Sequence, residues 1–168
     1  MARIEFPGLS DYELLISRLS KGADDIAGKA IYEGAKMVTD QIAKNIRGLR
    51  IVKGFGWEFD PLPGGVTADQ KKGLLDTLGI APLQDDNGYY NVKVGFDGYI
   101  ETTYNGDDYS QPAPLVARGT ESGTSWKGKS PFIRPAIQAT QKQVELKMGQ
   151  IIDAEMQKIM SDAEKDFG

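Results

Sequence analysis

The stretch Gly123-Thr-Ser-Trp-Lys-Gly-Lys-Ser130, followed at once by Pro131-Phe-Ile-Arg-Pro-Ala-Ile137, admits two incompatible folds. Its first half matches the phosphate-loop pattern G-x-x-x-x-G-K-[ST]. In nucleotide-binding enzymes that loop joins a buried parallel strand to a helix N-terminus whose N–H groups surround the phosphates. Its second half reads as the approach to a long helix. The flanking residues decide between them. Ala117-Arg-Gly-Thr-Glu-Ser122 is too polar for the buried strand. Both prolines fall where the first helical turns should be, and Pro135 removes a donor and biases Arg134 away from helical angles. No apolar strand ending in aspartate offers a magnesium ligand, because Ile151-Ile152-Asp153 lies inside a helical pattern. The β-α-β alternation of a parallel sheet is also missing. The match reads as accidental, with a phosphate-loop nucleotide-binding enzyme kept as the alternative from another class.

Composition points the same way. The chain has 168 residues, 40% hydrophobic and 26% charged, enough for one domain spanning 1–168. It has no cysteine and no histidine. Disulfides, thiolate nucleophiles, the usual zinc sites and the commonest general base are thereby excluded. A net charge of −4 makes the whole molecule a poor electrostatic magnet for nucleic acid. No apolar run reaches membrane-spanning length and MARIEFPGLS has no signal-peptide core, so the protein is expected inside a cell or packaged by one. No cofactor, metal or enzymatic activity is expected.

Two segments carry a helical period. Ile26, Ala30, Ile31, Gly34, Ala35, Val38, Ile42 and Ile46 form one stripe, with Asp24 and Asp25 at its expected start and Lys44, Arg47 and Gly48 at its end. A shorter helix is expected before it over 12–19. The second stripe, Ile133, Ile137, Thr140, Val144, Met148, Ile151, Ile152, Met156, Ile159 and Met160, implies a helix of roughly thirty residues whose end, 161–168, frays. Between them Thr67-Ala-Asp-Gln70 reads as a capping box, with Gly79 and Pro82 as the stop, and Gln84 to Gly88 as a turn. YYNVKVGFDGYIETTY reads as a hairpin turning at Phe96-Asp97-Gly98, which sets Val94 opposite Ile100 and Lys93 opposite Glu101. Asn105-Gly106 is a further turn, and Pro-Leu-Val-Ala-Arg118 a further strand. The fold class is α+β: two long helices packed on a small antiparallel sheet with long loops.

Arg118-Gly-Thr120 followed by Ser130-Pro-Phe-Ile-Arg-Pro-Ala-Ile137 resembles the signature of the tail-completion, or neck, proteins that join heads to tails in long-tailed bacteriophages. In that family a strand ending in Gly-Thr leads through a variable loop to a P-F-x-x-P-A start of the C-terminal helix. The alanine-rich helix from Asp24, the segment Gly73-Leu-Leu-Asp-Thr-Leu78 and the strand Val92-Lys-Val-Gly95 agree in order. Here Ala117-Arg118 replaces the acidic and aromatic residues that family members often carry before Gly-Thr. The resemblance implies a non-enzymatic virion protein, made in the host cytoplasm and placed at the neck. It implies a ring of identical subunits, hexamer or dodecamer, touching head-completion, tail-terminator or tail-tube proteins, with DNA only passing through the channel. A tail terminator or minor tail protein is the runner-up.

Several residues carry these expectations. Trp57 and Trp126 lie in loops, where an exposed tryptophan anchors an interface. Arg118, Thr120 and Arg134 are further assembly candidates, with Arg134 expected to point away from a buried Phe132. The basic group Lys44, Arg47, Arg50 and Lys53 offers DNA-channel contacts at Arg47, Arg50 and Lys53, although a helix C-terminus alone accounts for part of it. The aspartates Asp85, Asp86, Asp97, Asp107 and Asp108 do not have EF-hand spacing and are read as turn residues.

Overall fold

Helix α1 spans Leu9–Gly48 without interruption in the computed structural model, which describes residues 9–54, 62–87, 89–104 and 106–167. The expected break before Asp24 is absent. Gly22 continues the helix and lets it approach its partner closely, since a Cβ there would lie 3.0 Å from Ile159 Cδ1. Asp24 is therefore mid-helix, and it accepts a hydrogen bond from the Tyr90 phenol instead of sitting at a helix start. At the other end, Lys71 Nζ donates to the Leu49 carbonyl at 2.9 Å, satisfying an acceptor that the helix leaves over. The chain then runs beside Val66, with Val52 N–H donating to Val66 O and Val66 N–H to Arg50 O, both at 2.9 Å.

Helix α2 (Ala68–Thr77) opens with the expected capping box of Thr67 and Gln70. Gly73 presses its bare Cα against the sheet: a Cβ there would lie 2.4 Å from Ile100 Cγ2. Six short strands follow in three antiparallel pairs. Strand β1 (Leu78–Ile80) pairs with β4 (Val94–Phe96), β2 (Gln84–Asp86) with β3 (Tyr89–Asn91), and β5 (Tyr99–Tyr104) with β6 (Asp107–Pro112). The α+β class with two long helices holds. The sheet itself is divided into three ladders.

The expected hairpin register is wrong. Val94 lies opposite Ile80, Ile100 opposite Gln111 and Glu101 opposite Ser110, so Lys93 and Glu101 do not pair. The Asp97-Gly98 step transfers the chain from one ladder to the next rather than reversing it. Asp97 N–H donates to Thr77 O at 3.1 Å and Ala113 N–H donates to Gly98 O at 3.0 Å. Two misread segments explain the error. Leu78-Gly-Ile80, taken as a helix stop, supplies the partner for β4. Leu115 onward, taken as a strand, belongs to helix α3 (Ala113–Ser122), so the Gly119-Thr120 pair is helical too. Its buried residues Ala113, Val116, Ala117 and Thr120 follow a helical, not an alternating, period. Gln84 to Asn91 is a small hairpin around Asn87, at φ 57°, rather than a turn alone. Strand β5 turns back into β6 between Tyr104 and Asp107, with Gly106 at φ 89°; Asn105 of the expected turn lies outside the described residues.

Helix α4 (Ile133–Phe167) lies along α1. Gly34 admits Val144 and Met148, each with an atom 3.0 Å from where a Cβ would be. Helix α4 runs through Phe167, with Ala163 buried; Gly168, the end of the stretch expected to fray, lies outside the described residues. Phe132, immediately before α4, is 1% exposed and meets Phe96 edge-on at 6.0 Å. It joins Ile42, Ile46, Val66, Leu74, Ile100 and Val116 in the core, filling the gap between helices and sheet. Asn45 Nδ2 donates to the Phe132 carbonyl at 2.9 Å, tying α1 to the same point.

Truncating Phe132 to alanine is expected to cost about 3–5 kcal/mol, a large share of a domain's stability. Gly73→Ala should also destabilise strongly, because Ile100 and α2 must separate to admit the methyl group. Urea titrations followed by tryptophan fluorescence measure both; a midpoint unchanged in either variant refutes the packing described.

Candidate functional site

The connection from α3 to α4 is built from short-range constraints. Gly123, at φ 77°, ends α3 by donating to Gly119 O at 3.0 Å. Thr124 N–H donates to Lys127 O at 2.9 Å and Lys127 N–H returns a longer bond to Thr124 O at 3.4 Å, closing a tight turn. Gly128 N–H donates to Pro63 O at 3.1 Å, and a Cβ on Gly128 would stand 2.6 Å from Leu62 O. Ser130 N–H donates to Thr120 O at 2.7 Å. The loop is strapped down on both sides, and Trp126 stands at its tip, 58% exposed.

Two charged side chains organise this region. The Glu121 carboxylate accepts from the backbone N–H groups of Phe132, Ile133 and Arg134 at 2.7, 2.8 and 3.1 Å. It thereby satisfies donors that a helix start leaves free, and its charge suits the positive end of the helix dipole. Burial alone would raise its pKa, but the three N–H groups and the Arg134 guanidinium outweigh that and hold it below the ordinary carboxylate value. Lys127 folds under its turn, where Nζ donates to Thr120 Oγ1 at 2.7 Å, while Thr120 Oγ1 donates to Val116 O at 2.8 Å. Burial lowers the Lys127 pKa to about 8.

This geometry differs from that of a phosphate loop. The chain arrives from a helix rather than a strand, and α4 begins at Ile133, beyond Ser130. The N–H groups at the start of α4 already bind Glu121. Among the described residues no group of carboxylates is arranged to hold a metal ion. Asp97 caps a backbone bend, through Gly98 N–H at 2.8 Å; Asp85, Asp86, Asp107 and Asp108 lie in strands.

The candidate residues divide. Arg118 is exposed on α3, one turn on from Leu115, which is itself 62% exposed. Trp126 and Leu115 line one cleft of about 320 Å³, floored by Gln70, Gln111 and Lys127. Arg134 is 79% exposed and 3.9 Å from Glu121, so it flanks the end of the same helix. Thr120 does not belong to this surface: it is fully buried, and its hydroxyl serves Lys127. Trp57 lies outside the described residues. Arg47, Arg50 and Lys53 are exposed in and after the last turn of α1. Lys53 borders a second cleft, of about 610 Å³, with Ile51, Asp69, Thr102 and Tyr109.

No protein-family model, curated protein or solved structure matches the chain. The site therefore has to be read from its own chemistry. Sequence reasoning missed Glu121 and Lys127. Glu121 acts on donors eleven to thirteen residues away, and no spacing rule marks such a cap. Lys127 occupies a variable position of the pattern G-x-x-x-x-G-K-[ST] and is buried, whereas Lys129, at the pattern's fixed lysine, is exposed.

Calorimetry with magnesium and millimolar ATP or GTP is expected to show no saturable heat; a micromolar dissociation constant overturns this reading of the loop. Both charges should also appear in stability against pH. Glu121 has a lowered folded pKa, so its contribution is present above the unfolded value of 4.5 and lost as pH falls through the folded one. Glu121→Gln should lose this acid-dependent part and about 2 kcal/mol at neutral pH. Lys127 titrates in the same sense in a higher window: the unfolded chain holds the proton up to about 10.5, the folded one to about 8, so folding gains stability as pH rises between them. Lys127→Met should flatten that gain. Thermal melts from pH 3 to 10.5 check both, and parallel curves for wild type and variants refute them.

Proposed function

We propose that the protein is a structural subunit of the head–tail junction of a long-tailed phage, acting in a ring of identical copies. The observation that carries this reading is the surface formed by Leu115, Arg118, Trp126 and Arg134. Large apolar and cationic side chains stand exposed on a backbone fixed by hydrogen bonds, which is the composition of an interface centre and not of a solvated loop. A preformed loop loses little entropy on association. The P-F-x-x-P-A stretch supports the same reading, because its Phe132 plugs the core while its Arg134 faces outward. Rings arise from heterologous contacts that close, and such a subunit works by shape and contact rather than chemistry.

In this role the subunit contacts head-completion, tail-terminator or tail-tube proteins on either side. Arg47, Arg50 and Lys53, exposed in and after the last turn of α1, are the residues assigned to DNA, and only as it passes through the channel. No described helix is long and apolar enough to cross a membrane.

A phage lacking the gene should accumulate filled heads and finished tails that remain unjoined by electron microscopy. Arg134→Ala should give a folded protein with wild-type thermal stability and the same unjoined particles. Normal infectious particles from the null phage defeat the assignment; normal particles from Arg134→Ala remove Arg134 from the interface.

A further inference from the structure

The hairpin of β5 and β6 projects a second, oppositely charged surface. Asp107, Asp108, Tyr109 and Ser110 are all exposed in β6, and Tyr109 is 49% exposed. The tip is ordered by its own bonds: Tyr104 pairs with Asp107 across the turn, and Thr103 Oγ1 donates to Asp108 Oδ1 at 2.8 Å. A rigid acidic knob with an aromatic side chain beside it results. The region of the smaller cleft is its complement: apolar Leu115 and Trp126 line the cleft, exposed Arg118 and Lys129 lie on the same helix and loop, and Arg134 stands beside Glu121 at the end of that helix.

The carboxylates of the knob are held away from the basic surface of their own subunit, while Tyr109 lines the larger cleft, which shares Gln70 and Gln111 with the smaller one. Strand β6 holds the knob at one end, and α3, which bears Leu115 and Arg118, starts at the other. Six strand residues keep them roughly 17 Å apart, and pairing along the whole length of β5 prevents the knob from folding back. An acidic and a basic surface that cannot satisfy one another in cis are matched for contact between copies. Because they are different surfaces, the contact is heterologous, the kind that propagates and closes into a ring.

We infer that the Asp107-Asp108-Tyr109 knob of one copy docks against the Leu115–Arg118–Trp126 surface of the next. The proposal rests on the ring reading above and specifies which surfaces form the ring. Tyr109 packs beside Trp126 and Leu115, while Asp107 and Asp108 reach Arg118, Lys129 and Arg134. Such a contact weakens with salt, since rim charges are screened.

The chain has no cysteine, so engineered pairs report the contact directly. D108C and R118C proteins, mixed and mildly oxidised, should form a disulfide-linked dimer, because docking brings the two positions within bonding range. The yield should exceed that from D85C mixed with R118C by about tenfold. In the cysteine-free background, Arg118→Glu should lower the assembled fraction by native mass spectrometry about tenfold, and adding D107K and D108K should restore most of it. If the wild type assembles but the D108C and R118C pair links no better than the control, this contact is wrong and the ring reading stands. If the reversed charges fail to restore assembly, the contact is also wrong. If the wild type remains monomeric at every concentration, alone and with neck and tail partners, both fall together.

Discussion

The Glu121 carboxylate fixes the start of α4, and much else follows from that placement. Three adjacent N–H groups at the beginning of a helix need acceptors, and a charged one bonds them more strongly than a neutral one. Holding Phe132, Ile133 and Arg134 on one side chain fixes both the direction of α4 and the rotation of its first turn. Phe132 is thereby turned into the core against Phe96, Arg134 is turned outward, and the stripe through Val144 and Met148 is laid on Gly34 of α1. The same bonds fill the place where an anionic ligand would sit.

Both long helices are finished by residues distant in sequence. Glu121 caps α4 across the strapped loop, and Lys71 reaches the end of α1 from α2. Helix α2 instead is capped by its own Thr67 and Gln70, and it was fully legible in the sequence. The contrast marks how far sequence reading extends. Period and local capping gave α2, most of α1 and the start of α4. Strand partners were not legible, because Val94 has equal reason to pair with Ile80 or with Ile100 until the whole chain is considered. Helix α3 carried a visible signal, the spacing of Ala113, Val116, Ala117 and Thr120, which its two prolines and the expected Gly-Thr strand obscured.

For the candidate surface the legible part was side-chain type. Trp126, Arg118 and Arg134 were recognisable because an aromatic in a loop and a cation beside a core phenylalanine have few internal uses. Thr120 was misjudged for the converse reason. A threonine can serve its own helix, and here its hydroxyl accepts from buried Lys127 while donating to Val116. Only the fold shows that one loop lysine is inside and the next outside.

The pairing of α1 with α4 also sets the order in which the protein can be completed. The apolar stripe of α1 finds its main cover in residues 133–167, so α1 leaves the ribosome well before the helix that covers it. At synthesis rates of about 5–20 residues per second, that interval lasts several seconds. During it Ile42 and Ile46 can gather α2 and the strands, while the stretch around Gly22 and Gly34 stays uncovered. The small residues that permit tight packing in the finished subunit also make this waiting surface less sticky than leucines would. The glycines at 22 and 34 thus soften the helical face whose exposure lasts longest during synthesis.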